Sequence, residues 1–281
     1  MDYGDANVPQ RSTSVDAQFQ HHVAVGAHND VIWGLEYNGT VSDIPPTAVF
    51  QVLPSHADRK MGAIFAEDEI TLIPDRLRFI AGVRTSYDTA TQFQIQPTGR
   101  LLWTPTGKLT TSAAVSRAVH APSVRDTGFN ATVAAVPWRD RCLPWCSSRA
   151  TRACGRKSAL SYEAGDRIQV SRSVSFDASA FYTVHQHLQG ADTLAPYFVP
   201  PSATQIVHLV FPQMLTNIRY GASEGYDLST NWNVNPRWRL TAGRNWQRIH
   251  THAYPGIDAS DTVTDGGTTP HDQYQFRSSI D

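Results

Sequence analysis

A strict period-two alternation from Ile218 to Val234 is the feature that most constrains the fold of this chain. The mostly apolar positions are Ile218, Tyr220, Ala222, Glu224, Tyr226, Leu228, Thr230, Trp232 and Val234. The intervening positions, from Arg219 to Asn233, are mostly small or polar. Successive side chains of a strand point to opposite faces, so the pattern predicts one strand with two different faces. Its seventeen residues exceed the five or six of a usual globular strand and suit a barrel wall.

The same design recurs along the chain. Apolar and polar positions alternate over residues 174–184, with Phe181 as the exception, and weaker alternation runs through residues 31–37, 77–83 and 109–119. In all, about eleven segments have the character of such strands. The sequence therefore predicts an all-β fold of antiparallel, up-and-down strands.

The predicted connections differ in length from one to the next. Brief polar turns occur at residues 73–76, 104–108, 171–172 and 235–236, and their residue types suit a reversal of the chain. Long stretches occur at about residues 42–60, 120–158, 188–216 and 251–270. Short turns at one edge and long loops at the other are typical of outer-membrane β-barrels, whose long loops lie outside the cell.

Aromatic residues give a further indication of a membrane wall. Three tryptophans lie close to predicted turns, at Trp103, Trp232 and Trp238. Three tyrosines lie near the opposite strand ends, at Tyr87, Tyr182 and Tyr220. Two aromatic girdles, one at each membrane interface, would place the rings in this way. The alternative is that Trp and Tyr favour β-structure in general.

Composition excludes several classes of protein. A chain with 41% hydrophobic and 17% charged residues is not disordered, and its net charge of -1 gives no reason to expect a nucleic-acid partner. No run of 18 apolar residues exists, which excludes a helical membrane protein. Membrane-spanning strands need only about ten alternating residues each. The first residues lack the pattern of a signal peptide, so either the protein is cytoplasmic or its beginning is missing.

Three segments resemble the C-terminal barrel of TonB-dependent receptors. The first is the acidic strand at residues 65–70, which continues through Pro74 and Asp75 into residues 77–84. The other two are the hairpin formed by residues 96–105 and 114–123, and the segment 160–165, which opens the next hairpin. The resemblance rests on the order and spacing of these segments and covers most of residues 15–250.

The resemblance implies transport rather than catalysis. Such receptors import a scarce, bulky nutrient (a ferric siderophore, haem, cobalamin or a glycan) across the outer membrane of a Gram-negative bacterium, energised through TonB. The expected partners are TonB, reached through a plug domain, and outer-membrane lipid. Ligand contacts in the family come from the plug, the lumen wall and the extracellular loops. No catalytic residue, cofactor or bound metal is expected.

The chain also departs from the family pattern. It shows no signal peptide, TonB box or plug, it ends at Asp281 instead of an aromatic residue, and it has about eleven of the family's 22 strands. We therefore expect a partial barrel over residues 1–281, with two unpaired edges that are costly in lipid and prone to aggregate in water. Alone, it should transport nothing. The alternatives are another outer-membrane barrel, such as a porin or barrel enzyme, and a soluble carbohydrate-binding β-protein.

Residues 137–158 differ from the rest of the sequence. They contain six Arg or Lys against one acid, all three cysteines and no alternation, and family-like sequence resumes at Ser158. This favours a local reading-frame error in an anomalous loop. Cys142, Cys146 and Cys154 could instead suggest a zinc site, but no nearby histidine or fourth cysteine completes it.

Two groups of polar residues are candidate sites. His185 with His187, and His250 with His252, are spaced to share a strand face near loop-side ends, where they could chelate a metal or line a ligand path. The alternative for both pairs is solvated histidines at strand ends. A further acidic stripe, Glu67 and Glu69 with Asp68 on the opposite face, could suggest paired glycosidase carboxylates, but a polar lumen wall is the simpler interpretation.

Overall fold

The computed structural model describes residues 10–46, 50–123, 126, 128–135, 145–150, 154–199, 208–257 and 270–280. Within these residues, fifteen strands form a single sheet. The strands are β1 (Arg11–Val25), β2 (Asn29–Asp43), β3 (Phe50–Val52), β4 (His56–Ile73), β5 (Leu77–Asp88), β6 (Gln92–Thr106), β7 (Leu109–His120), β8 (Phe129–Ala135), β9 (Trp145–Ala150), β10 (Lys157–Gln169), β11 (Val174–Thr193), β12 (Tyr197–Val199), β13 (His208–Asn235), β14 (Trp238–Ala253) and β15 (Asp272–Ile280).

Eleven long strands form an antiparallel meander, in the order β1, β2, β4, β5, β6, β7, β10, β11, β13, β14 and β15. This confirms the predicted all-β, up-and-down fold. The short strands β3, β8, β9 and β12 lie in the connections, and β9 pairs in parallel with the start of β13. Within the described part of the chain, no helix is long and apolar enough to cross a membrane.

The connections sort by length as predicted, with one exception. Five short turns, at residues 26–28, 74–76, 107–108, 170–173 and 236–237, lie at one edge of the sheet, here called the turn edge. The opposite edge, the loop edge, carries the long connections. There, the link between β5 and β6 has only residues 89–91, and the long loops are shorter than predicted. The reason is that backbone pairing in β4, β11 and β13 continues into regions where the side-chain alternation has faded.

The register shows that the strands are tilted. Val25 pairs with Asn29 beside the first turn, and this row of residues continues through Ile70 and Phe79. The second turn begins beyond Leu77, two residues past this row. Each later turn is offset from the preceding one by the same two residues. Because each turn joins two strands, the shift is about one residue, roughly 3.3 Å, per strand. Neighbouring strands are about 4.8 Å apart, so the strands are tilted by about 35°. Outer-membrane barrels have this strand tilt.

One face of the sheet carries the exposed large apolar side chains. Residues paired across strands share a face, so the register assigns every strand residue to one side or the other. Apart from Leu72, which a bulge leaves unpaired, all exposed large apolar residues of the long strands fall on the same face, here called the apolar face; examples are Phe19, Leu35, Ile64, Phe79, Leu101, Val115, Tyr162 and Phe276. The sheet is a single layer, and the largest fully buried side chains, Ile44 and Val52, lie in loop-edge segments.

Two aromatic belts border the apolar face. Trp103, Trp232 and Trp238 lie on this face within about two residues of the turns. A second belt lies about eight to ten residues nearer the loop edge and contains Tyr37, Tyr87, Tyr162 and Tyr182. With the tilt above, the belts are roughly 20 Å apart, close to the ~25 Å apolar band of outer-membrane barrels. Tyr220 lies farther toward the loop edge than this second belt.

Candidate functional site

The face opposite the apolar face, here called the polar wall, is lined mainly by charged, amide, hydroxyl and glycine residues. Examples from successive strands are Asn38, Glu67, Arg84, Gln94, Ser116, Glu163, Thr183, Asp227 and Asn245. Two phenylalanines interrupt it, and each ring lies close to a neighbouring glycine: Phe65 beside Gly34, and Phe181 beside Gly225. Because glycine has no side chain, each ring can lie flat against the backbone and does not project from the wall.

A cavity of about 550 Å³, here called the loop-edge cavity, opens on the polar wall where β2, β4 and β5 approach the loop edge. Its lining residues are Gln10, Asn38, Thr40, Ser42, Ile44, Arg59, Met61, Asp88 and Ser123. Most of these side chains carry hydroxyl, amide or charged groups. The cavity therefore offers several hydrogen-bonding groups to a polar ligand.

Arg59 is the central cation of the loop-edge cavity. Its Nε and Nη2 donate to Oδ2 of Asp88 at 3.0 and 2.7 Å, and its Nη1 donates to the carbonyl oxygen of Pro122 at 3.0 Å. Asp88 is 4% exposed, and its second oxygen accepts the backbone N–H of Ala90 at 2.7 Å. Arg59 thus fixes the short β5–β6 link and the start of a long connection to the wall.

A second ion pair lies on the polar wall below this cavity. Arg84 of β5 donates from Nε and Nη2 to Oε2 of Glu36 in β2, at 3.1 and 2.5 Å. The pair therefore reaches across the intervening strand β4. Nη2 of Arg84 also lies 3.8 Å from the sulfur of Met61, which lines the cavity. The charges of Arg84 and Glu36 thus neutralise each other within the wall.

A further cavity of about 450 Å³ lies on the polar wall nearer the turn edge, between β7, β10, β11 and β13. Its charged lining groups include the ion-paired Arg167 and Asp177, and Asp227, whose Oδ1 accepts from Nδ2 of Asn245 at 2.5 Å. The surface contains both hydrogen-bond donors and acceptors. It can bind a polar surface that packs against the wall, but it contains no arrangement of nucleophile and base.

The acidic stripe lies as the sequence predicts. Glu67 and Glu69 share the polar wall, and Asp68 lies on the apolar face. Glu69 accepts from Nη1 of Arg78 at 2.6 Å, and Asp68 accepts from Nδ2 of Asn29 at 2.6 Å. Glu67 and Glu69 thus belong to the polar wall, whereas Asp68 does not.

The four candidate histidines do not come together. His185 lies on the polar wall, with Nε2 2.9 Å from Oγ of Ser223. His187 lies in a bulge, where its φ of 58° and a shift in register interrupt the strand. His250 and His252 share a face, as expected, but that face is the apolar one. The register turns His250 and His252 away from the wall, and a role for any of the four histidines in a ligand path stays a prediction.

Cys154 is the one cysteine whose side chain lies within the described residues. Cys154 is 4% exposed, and its Sγ donates to the carbonyl oxygen of Leu215 at 2.9 Å. Burial raises the pKa of this thiol, so the neutral form is favoured. Cys142 and the side chain of Cys146 lie outside the described residues. Among the described residues, no group of three or more His, Cys, Asp or Glu side chains could hold a metal ion.

The sequence interpretation missed the ion pairs of the wall. Arg59 and Asp88 are 29 positions apart, and Glu36 and Arg84 are 48 positions apart. Only the register of three strands brings these partners together. The available signal was that all four charges lie on the polar positions of their strands, which places them on the wall but does not pair them.

Comparison with known proteins gives one family and one fold. Residues 2–279 match the family described as TonB dependent receptor-like, beta-barrel. No curated protein matches the chain. Similar solved structures include the siderophore receptors PirA from Pseudomonas aeruginosa (13% identity, TM-score 0.67, covering 85% of this chain and 43% of that one) and PirA from Acinetobacter baumannii (12%, 0.69, 96% and 40%).

The FrpB iron transporter from Neisseria meningitidis is also similar, with 11% identity and a TM-score of 0.62. The match covers 87% of this chain and 36% of that one. The chain thus spans less than half the length of each of these three structures. At such low identities, the likeness shows the fold alone.

Proposed function

The chain belongs to the TonB-dependent receptor β-barrel family, and from this membership we propose that it forms part of the wall of an outer-membrane import receptor. The family comprises transport receptors rather than enzymes. The nutrient would be scarce and bulky, and the host a Gram-negative bacterium. The observation that supports this proposal best is the single face on which the exposed apolar side chains of eleven tilted strands collect.

The orientation in the membrane follows from the two faces and two edges. The apolar face, bordered by Trp and Tyr belts, contacts lipid, and the polar wall faces the lumen. The turn edge faces the periplasm, and the loop edge faces the outside of the cell. The loop-edge cavity then lies at the outer end of the lumen, where an incoming ligand first meets the wall.

A ferric siderophore is the ligand class we favour over haem, cobalamin or a glycan. Of the three similar structures named above, two are siderophore receptors and one is an iron transporter. The loop-edge cavity presents the guanidinium of Arg59 together with the amide of Asn38 and the hydroxyl of Thr40. Oxygen-rich iron chelates accept hydrogen bonds from such donors. Energy would come from TonB through the plug domain of the complete receptor.

The test is ligand uptake by the product of the complete gene. The gene is expressed in a Gram-negative host without its own ferric siderophore receptors, and uptake of radiolabelled ferric enterobactin, haem and cobalamin is measured. We expect the protein in the outer-membrane fraction and uptake of the ferric siderophore only when TonB is present. Equal uptake without TonB would contradict energised transport, and a protein that fractionates with the cytosol would contradict the location.

A pair of variants tests the cavity. Arg59→Gln removes the cavity cation, whereas Lys60→Gln removes an equal charge from the next residue, on the opposite face. One lost charge-assisted hydrogen bond should raise the Kd for the imported chelate about ten- to a hundredfold in Arg59→Gln. Lys60→Gln should leave it unchanged. Equal Kd values for the two variants would place ligand binding elsewhere.

A further inference from the structure

The turn edge carries positive charge without partners. Four of its five turns contain a cation, namely Arg76, Lys108, Arg172 and Arg237. Among the described residues, none of these four side chains makes an ion pair. Asp75 lies next to Arg76 and offsets its charge, but the turns that contain Arg172 and Arg237 have no acidic residue. The positive charge is therefore strongest at the β10–β11 and β13–β14 turns.

A cavity of about 360 Å³, here called the turn-edge cavity, lies between these two turns. Arg172 of one turn and Arg237 of the other line it, together with Arg239. Within the described part of the chain, its lining contains no carboxylate. A guanidinium presents a planar fork of donors that matches the two oxygens of a carboxylate. The cavity thus offers three such forks to an anion.

The turn-edge cavity belongs to the polar wall. Asn233 of β13 and Arg239 of β14 lie opposite each other, and the register places both on the wall. Nε of Arg239 donates to Oδ1 of Asn233 at 3.0 Å, which holds this guanidinium on the wall side. Trp238 also lines the cavity but lies on the apolar face, where its Nε1 donates to Oγ of Ser278 at 3.0 Å. A ligand therefore reaches the three guanidinium groups from the lumen or past the turns.

Hydrogen bonds hold the backbone of the turn-edge cavity. Oδ1 of Asn235 accepts from the backbone N–H groups of Arg237 and Trp238, at 2.9 and 3.0 Å. The backbone N–H of Asn233 donates to the carbonyl oxygen of Ser173 at 2.8 Å and links the two turns. The cations of the two turns therefore extend from backbones that are fixed relative to each other.

The separation of the two turns favours a ligand with several anionic groups. The strands β10, β11, β13 and β14 are successive neighbours in the sheet, so the two turns lie roughly 10 Å apart. Carboxylates two or three residues apart in an extended polypeptide are separated by about 7–10 Å. Such a segment can place one carboxylate at each turn. A small ion such as phosphate has no second anionic group for the other turn.

We propose that the turn-edge cavity binds an acidic segment of a protein that reaches this end of the lumen from the periplasm. The carboxylates of the segment pair with Arg172, Arg237 and Arg239. The inference rests on the proposed function for the side from which the partner arrives, because that function places the turn edge at the periplasm. An exposed ion pair contributes about threefold to affinity, so two contribute roughly tenfold.

The test measures peptide binding by the full chain, refolded in a nonionic detergent. Fluorescence anisotropy gives the Kd for a labelled peptide of six glutamates, with a peptide of six glutamines as the uncharged reference. Arg172→Gln with Arg237→Gln removes two cations from the cavity. Arg76→Gln with Lys108→Gln removes two cations from the same edge but away from the cavity. We expect the Kd for the acidic peptide to rise about tenfold in the first double variant and less than threefold in the second.

Four results would overturn the proposal. Equal binding of the two peptides by the parent chain would mean that the cavity does not recognise carboxylates. Equal rises in Kd for the two double variants would mean diffuse charge along the edge without a site. Displacement of the acidic peptide by an equal concentration of inorganic phosphate would identify a small-anion site. Tighter binding to phosphatidylglycerol micelles than to the peptide would identify a lipid site.

The folded fraction of each variant is isolated by gel filtration before titration, so a lower refolding yield does not alter its Kd. The proposed function fails separately from this inference, because peptide binding in detergent needs neither a membrane nor transport. Selective binding of the acidic peptide, without TonB-dependent uptake by the complete receptor, would contradict only the proposed function. Uptake together with equal Kd values for the parent chain and the Arg172→Gln, Arg237→Gln variant would contradict only the acidic-segment site.

Discussion

Arg59 and Asp88 form an ion pair in which two guanidinium nitrogens, at 3.0 and 2.7 Å, donate to the same carboxylate oxygen. The pair joins β4 to the end of β5, and the third donor of Arg59 adds the segment at Pro122. It therefore closes the loop edge at a point where three pieces of chain meet. A single-layer sheet has few buried contacts. The buried carboxylate of Asp88 is therefore important for holding these segments together.

Replacing Asp88 by Asn should destabilise the folded chain by about 2 kcal/mol. Breaking a buried ion pair costs about 3–5 kcal/mol, and the effect is smaller here because the Arg59 side chain is 26% exposed. The matched control is Asp58→Asn, which breaks an exposed pair with Lys60 and should cost less than about 0.5 kcal/mol. Urea unfolding in detergent measures both. Equal midpoints would show that the Arg59–Asp88 pair contributes no stability.

Gly225→Ala should also be destabilising, by about 1–3 kcal/mol. A Cβ at this position would lie 2.5 Å from the carbonyl oxygen of Trp246 and 2.8 Å from the ring of Phe181, so the backbone must move. At Gly62, a Cβ would meet no atom within 4 Å. Gly62→Ala should therefore be neutral or stabilise by up to about 1 kcal/mol through the unfolded state. The urea midpoint should fall for Gly225→Ala and should stay the same or rise for Gly62→Ala.

Neighbouring leucines on β6 test the assignment of the two faces. Leu101 lies on the apolar face, two residues from Trp103 of the turn-side belt, and Leu102 lies on the polar wall. Leu101→Arg should cost about 1–2 kcal/mol in a bilayer, because the charge enters lipid between the headgroup level and the midplane. Leu102→Arg should cost much less, because it enters the lumen. Stability in vesicles measures the difference, and a greater cost at Leu102 would reverse the assignment.

Alternation predicts the strands because a sheet with one apolar and one polar face imposes a period of two on the sequence. Four of the five turns at the turn edge are predicted from short-range residue preferences, as at Pro74 and Asp75, where Asp75 has a φ of 59°. The alternation is faintest in β1, because the positions on its apolar face include His21. Fold class is thus set by local periodicity, which a single sequence displays.

The candidate site is less predictable because it depends on register. The pairing of Arg59 with Asp88 requires the alignment of two neighbouring strands to within one residue. The bulge at His187 changes which side chains share a face, and no composition signal marks it. A wall residue can thus be recognised from its position in the alternation, whereas its partner cannot.

The Cys154 thiol should react slowly with iodoacetamide in the folded chain. Burial raises its pKa from the ordinary value of 9.0, so the reactive thiolate is scarcer at every pH, and the alkylation rate keeps rising beyond the pH at which a free thiol levels off. The same shift stabilises the fold fully below the unfolded pKa and is lost as the pH rises through the folded value. Peptide mass spectrometry separates the cysteines. Rates equal to those after unfolding in urea would contradict this burial.

Resequencing the DNA that encodes residues 137–158 should reveal a local reading-frame error. The strands on either side pair directly, with Lys157 opposite His120 and Ser158 opposite Val119, so the pairing of β7 with β10 does not depend on the intervening segment. Residues 136–144 and 151–153 lie outside the described part of the chain. Because family-like sequence continues beyond Ser158, we propose two compensating changes that restore the frame. An intact frame, with peptides of this segment present in the purified protein, would instead establish a genuine basic loop with three cysteines.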